Sequence, residues 1–224
     1  MSKTTMDAKT AILARARDAI SHSQQGRPVR PIPRDYIRST EHAPGSDAVV
    51  EEMIEKLEDY SAQVVVVSGE DAVADAVATF LADQKATSVV VPTGLDEAFK
   101  KAAARDGRKV SEDSREKAIS TLELDEIDAV VTRSRVAISI SGTIVLDGEP
   151  DQGRRAISLV PDTHVVVLNR ADIVPTVPQA VDILGKNPTR PMTWIAGGSA
   201  TSDIELVRVN GVHGPRNLRV VIAS

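Results

Sequence analysis

Val64-Val65-Val66-Val67-Ser68 and, beyond an amphipathic stretch, Val89-Val90-Val91-Pro92 are the two segments whose reading decides the fold. An apolar run without alternation is what a strand covered on both faces requires, because successive side chains point into two different layers. Between the runs, Val73, Val77, Phe80 and Leu81 recur at helical spacing, and Ser68 with Asp71 three residues on reads as an N-cap. Parallel neighbours can be joined only by a crossover, so strand, helix and strand here predict a right-handed β–α–β unit in a parallel sheet.

The alternation continues outward in both directions. Upstream, Val49, Val50, Met53, Ile54 and Leu57 mark one face of a helix that begins after Ser46 and ends near Tyr60. Downstream, helices are expected over 95–104 and near 115–127, with a short segment at Lys109-Val110 between them. Strands are expected at Val130-Val131, 136–140 and 143–146, the last two joined through Ser141-Gly142 as a two-residue hairpin turn. A buried strand over 164–168, a helix over 177–184 and a strand at Thr193-Trp194-Ile195 follow. Residues 205–209 and 218–223 read as strands around the turn Gly211-Val212-His213-Gly214-Pro215. Before all this, Ile12, Leu13, Ala16 and Ile20 place a short helix over 7–20, and Gly26, Pro28, Pro31, Pro33, Pro44 and Gly45 forbid regular structure over 22–45. The organisation expected is an N-terminal helix and Pro-rich extended arm over 1–45 and one α/β domain over 46–224.

The 224 residues are 42% apolar but include few aromatics, Tyr36, Tyr60, Phe80, Phe99 and Trp194, so Val, Ile, Leu and Ala must fill the core. With no cysteine, the chain offers neither a disulfide nor a thiolate ligand for an iron–sulfur cluster or zinc. A net charge of −5 and no basic patch with aromatics argue against nucleic acid as a partner. No apolar run approaches the roughly 20 residues needed to span a bilayer, and no secretory segment is seen, so a cytoplasmic location without membrane contact is expected. The histidines His22, His42, His164 and His213 fall at no metal-ligand spacing, and His164 belongs to a strand. No G-x-S-x-G elbow supports a serine nucleophile.

The strongest candidate for chemistry is Ala196-Gly197-Gly198-Ser199-Ala200-Thr201-Ser202-Asp203. A strand running into two glycines and then hydroxyl residues lets backbone N–H groups point at one spot, with Ser199, Thr201 and Ser202 as further donors to a small anion, a carboxylate or phosphate. In a parallel sheet such a loop is expected at the carboxyl ends of the strands. The competing reading is a capped helix start, and both can hold together. Asp203 and Glu205, with His213 and Arg216 beyond the turn, supply acid–base groups and a carboxylate-binding guanidinium if the chain folds back on itself. The alternative is a capping Asp203 and solvated strand residues. Gly142 and Thr143 lie in a small polar stretch where a ligand can approach the backbone, or where the chain only turns. A pair among Arg133, Arg135, Arg154 and Arg155 is a further candidate for an acidic substrate.

The ending Thr201-Ser202-Asp203-Ile204-Glu205-Leu206-Val207 with Gly211-Val212-His213-Gly214-Pro215-Arg216 and Leu218 resembles the LUD-domain family in its lactate-utilization (LutC/YkgG) branch. Ile32-Pro33-Arg34-Asp35-Tyr36, Leu57-Glu58-Asp59-Tyr60, Ser141-Gly142-Thr143-Ile144-Val145-Leu146 and Pro161 with His164-Val165-Val166-Val167 fit the same family in the same order, over nearly the whole chain. The resemblance implies a three-layer α/β/α fold with a mostly parallel sheet, similar to the glucosamine-6-phosphate isomerase (NagB), ribose-5-phosphate isomerase (RpiA) and CoA-transferase fold. It implies a non-redox role in oxidising L-lactate to pyruvate beside two iron–sulfur cluster-bearing partner proteins, with no cofactor on this chain. Where the family is expected to carry a Glu-Thr-Gly-Thr run, this chain has Ser139-Ile140-Ser141-Gly142-Thr143, without the carboxylate. Two alternatives stay open: a self-sufficient enzyme acting on sugar phosphates or CoA esters, and a scaffold that binds no small molecule.

Overall fold

The computed structural model describes residues 7–24, 31–201, 209–210 and 214–224. The chain divides into two compact units, Met1–Tyr36 and Ile37–Ser224. The first contains helix α1 (Ala8–Gln24), which runs four residues past the expected end at Ile20, with Ile12 and Ile20 more than half exposed. The second begins earlier than the Pro-rich composition suggests. Arg38 pairs with Asp182 at 3.2 Å, the Gly45 N–H donates to the Ile173 carbonyl at 2.9 Å, and Arg170 Nε donates to the Gly45 carbonyl at 2.6 Å.

In the second unit the order is α2 (Asp47–Asp59), β1 (Gln63–Val67), α3 (Glu70–Asp83), β2 (Ser88–Pro92), α4 (Glu97–Ala103), β3 (Lys109–Asp113), α5 (Thr121–Asp125) and β4 (Ala129–Arg133). There follow β5 (Val136–Ile138), β6 (Thr143–Leu146), β7 (Thr163–Asn169), β8 (Ile173–Val174), α6 (Val177–Leu184), β9 (Thr193–Ile195), β10 (Ala200–Thr201), β11 (Val209–Asn210) and β12 (Asn217–Ala223). Among the described residues β1-β12-β7-β4-β2-β3 form a six-stranded sheet whose pairings are all parallel. The α/β class and the mostly parallel central sheet with helices on both sides are as expected.

The two-period of the strands separates the layers. Odd-numbered Val89, Val91, Val131, Val165, Val167 and Val221 pack with Val73, Val77 and Leu81 of α3 and Phe99 of α4. Even-numbered Val166, Leu168, Val220 and Ile222 pack with Val50, Met53 and Leu57 of α2, while Val90 and Val130 meet Leu124 of α5 and Ile157. Each such fully buried side chain contributes roughly 1.5–3 kcal/mol relative to exposure.

A second sheet, β8-β5-β6-β9, adds a further layer on the even-numbered face. Its Ala137, Ile144, Leu146 and Ile173 face the main sheet, and Val136, Ile138, Val145 and Val174 pack beneath Ala180 and Leu184 of α6. The hairpin expected at 136–146 is present, but its connection is wider than two residues. Ile138 pairs with Thr143, a 3₁₀ turn Ser139–Ser141 intervenes, and Gly142 closes it at φ 58°.

Four other local expectations give way. Ser68 does not cap α3: its hydroxyl bonds Ser224 Oγ at 2.6 Å, and Gly69, at φ 88°, holds the N-cap position. The helical stretch near 115–127 shrinks to α5, which begins at a capping box between Ser120 and Glu123. β1 is an edge strand with Val66 41% exposed, because a valine run does not distinguish an edge from a centre. Finally, β12 does not pair back across the 211–215 turn. It inserts between β1 and β7, and β11 pairs with β10 instead.

Candidate functional site

β9 delivers the chain into the glycine loop, but not where an all-parallel sheet would place it. The strand runs antiparallel to β6 in the smaller sheet, with Ile195 opposite Ile144. The loop then lies against His164 and Leu218, both near the amino ends of parallel strands. Two glycines are required there by close approach. A Cβ on Gly198 would stand 2.4 Å from the Arg216 carbonyl oxygen, and one on Gly197, at φ 81°, would stand 2.4 Å from Tyr60 Cβ at the end of α2. One amide of the loop is already committed, since the Ser199 N–H donates to the Pro215 carbonyl at 2.8 Å.

Beneath the loop is a cavity of about 280 Å³, lined by its backbone, by Ser158, Leu159, Thr193 and Trp194, and by His164. His164 is a residue whose sequence signal was that of a buried strand and nothing more. It is 1% exposed, shares a 2.8 Å hydrogen bond through Nε2 with the Thr132 hydroxyl, and leaves Nδ1 without a hydrogen-bond partner. Burial pushes its pKa down from 6.5 to about 3, so the imidazole is neutral at physiological pH. A neutral imidazole with an uncommitted nitrogen can donate to or accept from a ligand hydroxyl or carboxylate, according to its tautomer.

The remaining candidates distribute unevenly. Gly142 and Thr143 sit at the C-terminal end of α2, where a Cβ on Gly142 would stand 2.8 Å from Lys56 Cβ, and they do not line the loop cavity. Thr143 Oγ1 bonds Ser141 Oγ at 2.8 Å, and the Ser139 hydroxyl donates to Glu52 of α2 at 2.5 Å. The Arg216 guanidinium points to Asp162, at 2.9 and 2.7 Å, rather than into the cavity. Ser202, Asp203, Glu205 and His213 lie outside the described residues, as does the side chain of Thr201. The four arginines separate into two places. Arg133 and Arg135 line a cleft of about 480 Å³, where Arg133 is held by Asp96 at 2.5 Å and Asn169 at 2.6 Å. Arg154 and Arg155 line another cavity, together with Arg115, a residue that no motif singles out.

These features define an α/β protein in which a small second sheet presents a glycine loop over a buried histidine. The comparisons with known proteins then give the family: residues 50–223 match the LUD domain, and the chain belongs to that family. It is 39% identical to Lactate utilization protein C of Deinococcus radiodurans over 98% of this chain and 97% of that one. The match to Lactate utilization protein C of Bacillus subtilis is 34% over 106 residues, 45% of this chain and 44% of that protein. A crystal structure of a DUF162 family protein from Deinococcus radiodurans superposes with a TM-score of 0.65 at 35% identity, covering 79% of this chain and 97% of that one. Among the described residues, no helix is long and apolar enough to cross a membrane.

Proposed function

We propose that this chain is a lactate utilization protein without a redox centre of its own, and that its glycine loop holds a small hydroxy- or ketocarboxylate. The observation that carries the reading is the near end-to-end identity of 39% with a protein named Lactate utilization protein C. Oxidation of L-lactate to pyruvate releases two electrons and two protons. A chain without cysteine has no thiolate cluster to accept the electrons, and the family resemblance implies two iron–sulfur cluster-bearing partners that take them. The amides of Gly197 and Gly198 and the hydroxyls of Ser199, Thr201 and Ser202 bind the carboxylate, with Arg216 exchanging Asp162 for the ligand and Gly142 and Thr143 at the margin, outside the cavity itself. Asp203, Glu205 and His213 are the acid–base groups, and His164 meets the ligand hydroxyl from below.

Deletion and complementation test the pathway role: loss of growth on L-lactate, restored by the full chain, is expected, and unchanged growth after deletion overturns it. Tagged protein purified gently from its own cells should carry two cluster-bearing proteins. For the pocket, L-lactate or pyruvate at 100 times its dissociation constant adds about 2.7 kcal/mol of stability, or roughly 5–10 °C in midpoint. That shift should vanish in Ser199→Asp; its absence from the unmodified protein excludes the pocket.

A further inference from the structure

The cavity that contains Arg115, Arg154 and Arg155 is separate from the glycine loop and differs from it in kind. It measures about 310 Å³, and its lining includes three arginines and no acidic residue. It lies over the carboxyl ends of β2 and β3: a Cβ on Gly153 would stand 2.9 Å from Pro92 Cβ, and Arg154 is anchored to Asp113, the last residue of β3. The chain leaves β2 for α4 on one face of the sheet and leaves β3 for α5 on the other. That divergence opens a crevice between adjacent strands, the place where open parallel sheets bind ligands.

The arginines are held in different ways. Asp113, fully buried, grips Arg154 at 2.8 and 2.6 Å, and Arg154 also donates to the Ile119 carbonyl at 2.9 Å. That fixes its guanidinium in the wall with one edge committed behind it. Arg115 and Arg155 form no ion pair among the described residues, although Arg115 interacts electrostatically with its sequence neighbour Glu116. Two forked donors, Arg115 and Arg155, with the remaining Nη1 of Arg154 beside them, match a group with several anionic oxygens, since a guanidinium without an ion-pair partner offers parallel N–H bonds. Ser158 and Thr193 line both this cavity and the one under the glycine loop, so the two cavities share a wall.

We infer that the cavity walled by Arg115, Arg154 and Arg155 is a second binding site, for a polyanionic group, either a phosphoryl group or a dicarboxylate. The site stands on its own geometry and does not need the glycine loop to bind lactate.

The test uses the full chain, with inorganic phosphate and succinate as probes against chloride at matched ionic strength, read by calorimetric titration and thermal denaturation. At least one of the two anions should bind and raise the midpoint where chloride does not. The tighter of the pair assigns the phosphoryl or the dicarboxylate class. Arg155→Gln and Arg115→Gln, both exposed positions that preserve the fold, should each weaken that binding at least tenfold, while Lys101→Gln on α4 leaves it unchanged. Binding that survives both arginine substitutions, or falls equally in the Lys101 control, overturns the site, as does a chloride response equal to both probes. A lost lactate response in Ser199→Asp with phosphate or succinate binding intact separates this site from the glycine loop.

Discussion

The cavities that share Ser158 and Thr193 are built from different materials. One is walled by backbone, apolar side chains and a buried imidazole; the other by guanidinium groups on a carboxylate frame. Steric fit positions the first, because Gly197 and Gly198 press against Tyr60 and Arg216 with no space for a Cβ. Ion pairing positions the second, through Arg154 and Asp113. Neighbouring sites held by different forces should fail under different perturbations, each striking one cavity and sparing the other.

Acid should produce the largest effect, on the glycine-loop side. The unfolded chain takes up a proton at His164 near pH 6.5, whereas the folded chain refuses it until about pH 3. The unfolded state therefore binds more protons in that window, so stability rises with pH through it. The contribution is complete above pH 6.5 and is lost as pH falls toward 3, on the order of 3 kcal/mol by pH 4.5. His164→Gln, which can keep the Thr132 hydrogen bond, should lose correspondingly less between pH 7.5 and 4.5 in urea titrations. Equal losses in the two proteins would remove His164 from the account.

Next is the ion pair of the arginine cavity. Arg154→Ala strands the Asp113 carboxylate, which is 0% exposed, and since Arg154 itself is 25% exposed the cost should be about 2 kcal/mol rather than the full value of a buried pair. Adding Asp113→Asn to that variant should recover part of the loss, by relieving an unpaired charge. A double variant less stable than the single one would show that Asp113 serves β3 by some route other than Arg154. Urea unfolding at pH 7 measures both, and the response of the chain to L-lactate should be unaltered.

The contrast between the cavities also marks where sequence reading works. Strands β2 and β7, and β12 from Val220 on, declare themselves as continuous apolar runs because both of their faces are covered, and α2 and α3 by their helical spacing. The small sheet is hidden: β8 has two residues, too few to display a period, and β9 shows nothing that tells an antiparallel role from a parallel one. That ambiguity is why the glycine loop is legible as a loop but not in its position at the amino ends of the strands. Gly197-Gly198 announces itself, whereas His164 looks like any strand residue until its buried Nδ1 is found without a hydrogen-bond partner. Arg154 and Arg155 are visible as a pair, but only the fold separates them from Arg133 and Arg135 and brings Arg115 to them.

Glycine substitutions should sharpen the comparison further. Gly197→Ala combines a φ of 81° with a contact of 2.4 Å against Tyr60 Cβ, and should cost about 2 kcal/mol. Gly148→Ala in the arginine cavity meets a positive φ of 73° but nothing nearer than Arg115 at 3.5 Å, and should cost only about 1 kcal/mol, the backbone strain alone. Equal losses would mean that conformation, not close packing, sets the glycine loop in place.

The smallest effect belongs to Arg216, whose backbone carbonyl abuts the glycine loop. Its side chain and that of Asp162 are 56% and 59% exposed, so water and salt screen the pair despite its two-pronged geometry. Arg216→Ala should cost about 0.5 kcal/mol or less at moderate salt, and the difference should shrink further in high salt. The informative readout is therefore ligand binding rather than stability. If the guanidinium leaves Asp162 for the ligand, Arg216→Ala weakens L-lactate or pyruvate binding and Asp162→Asn, which releases the arginine, strengthens it. Identical affinities in the two variants and the unmodified chain would assign Arg216 to the surface ion pair alone and leave the carboxylate to the loop's own amides and hydroxyls.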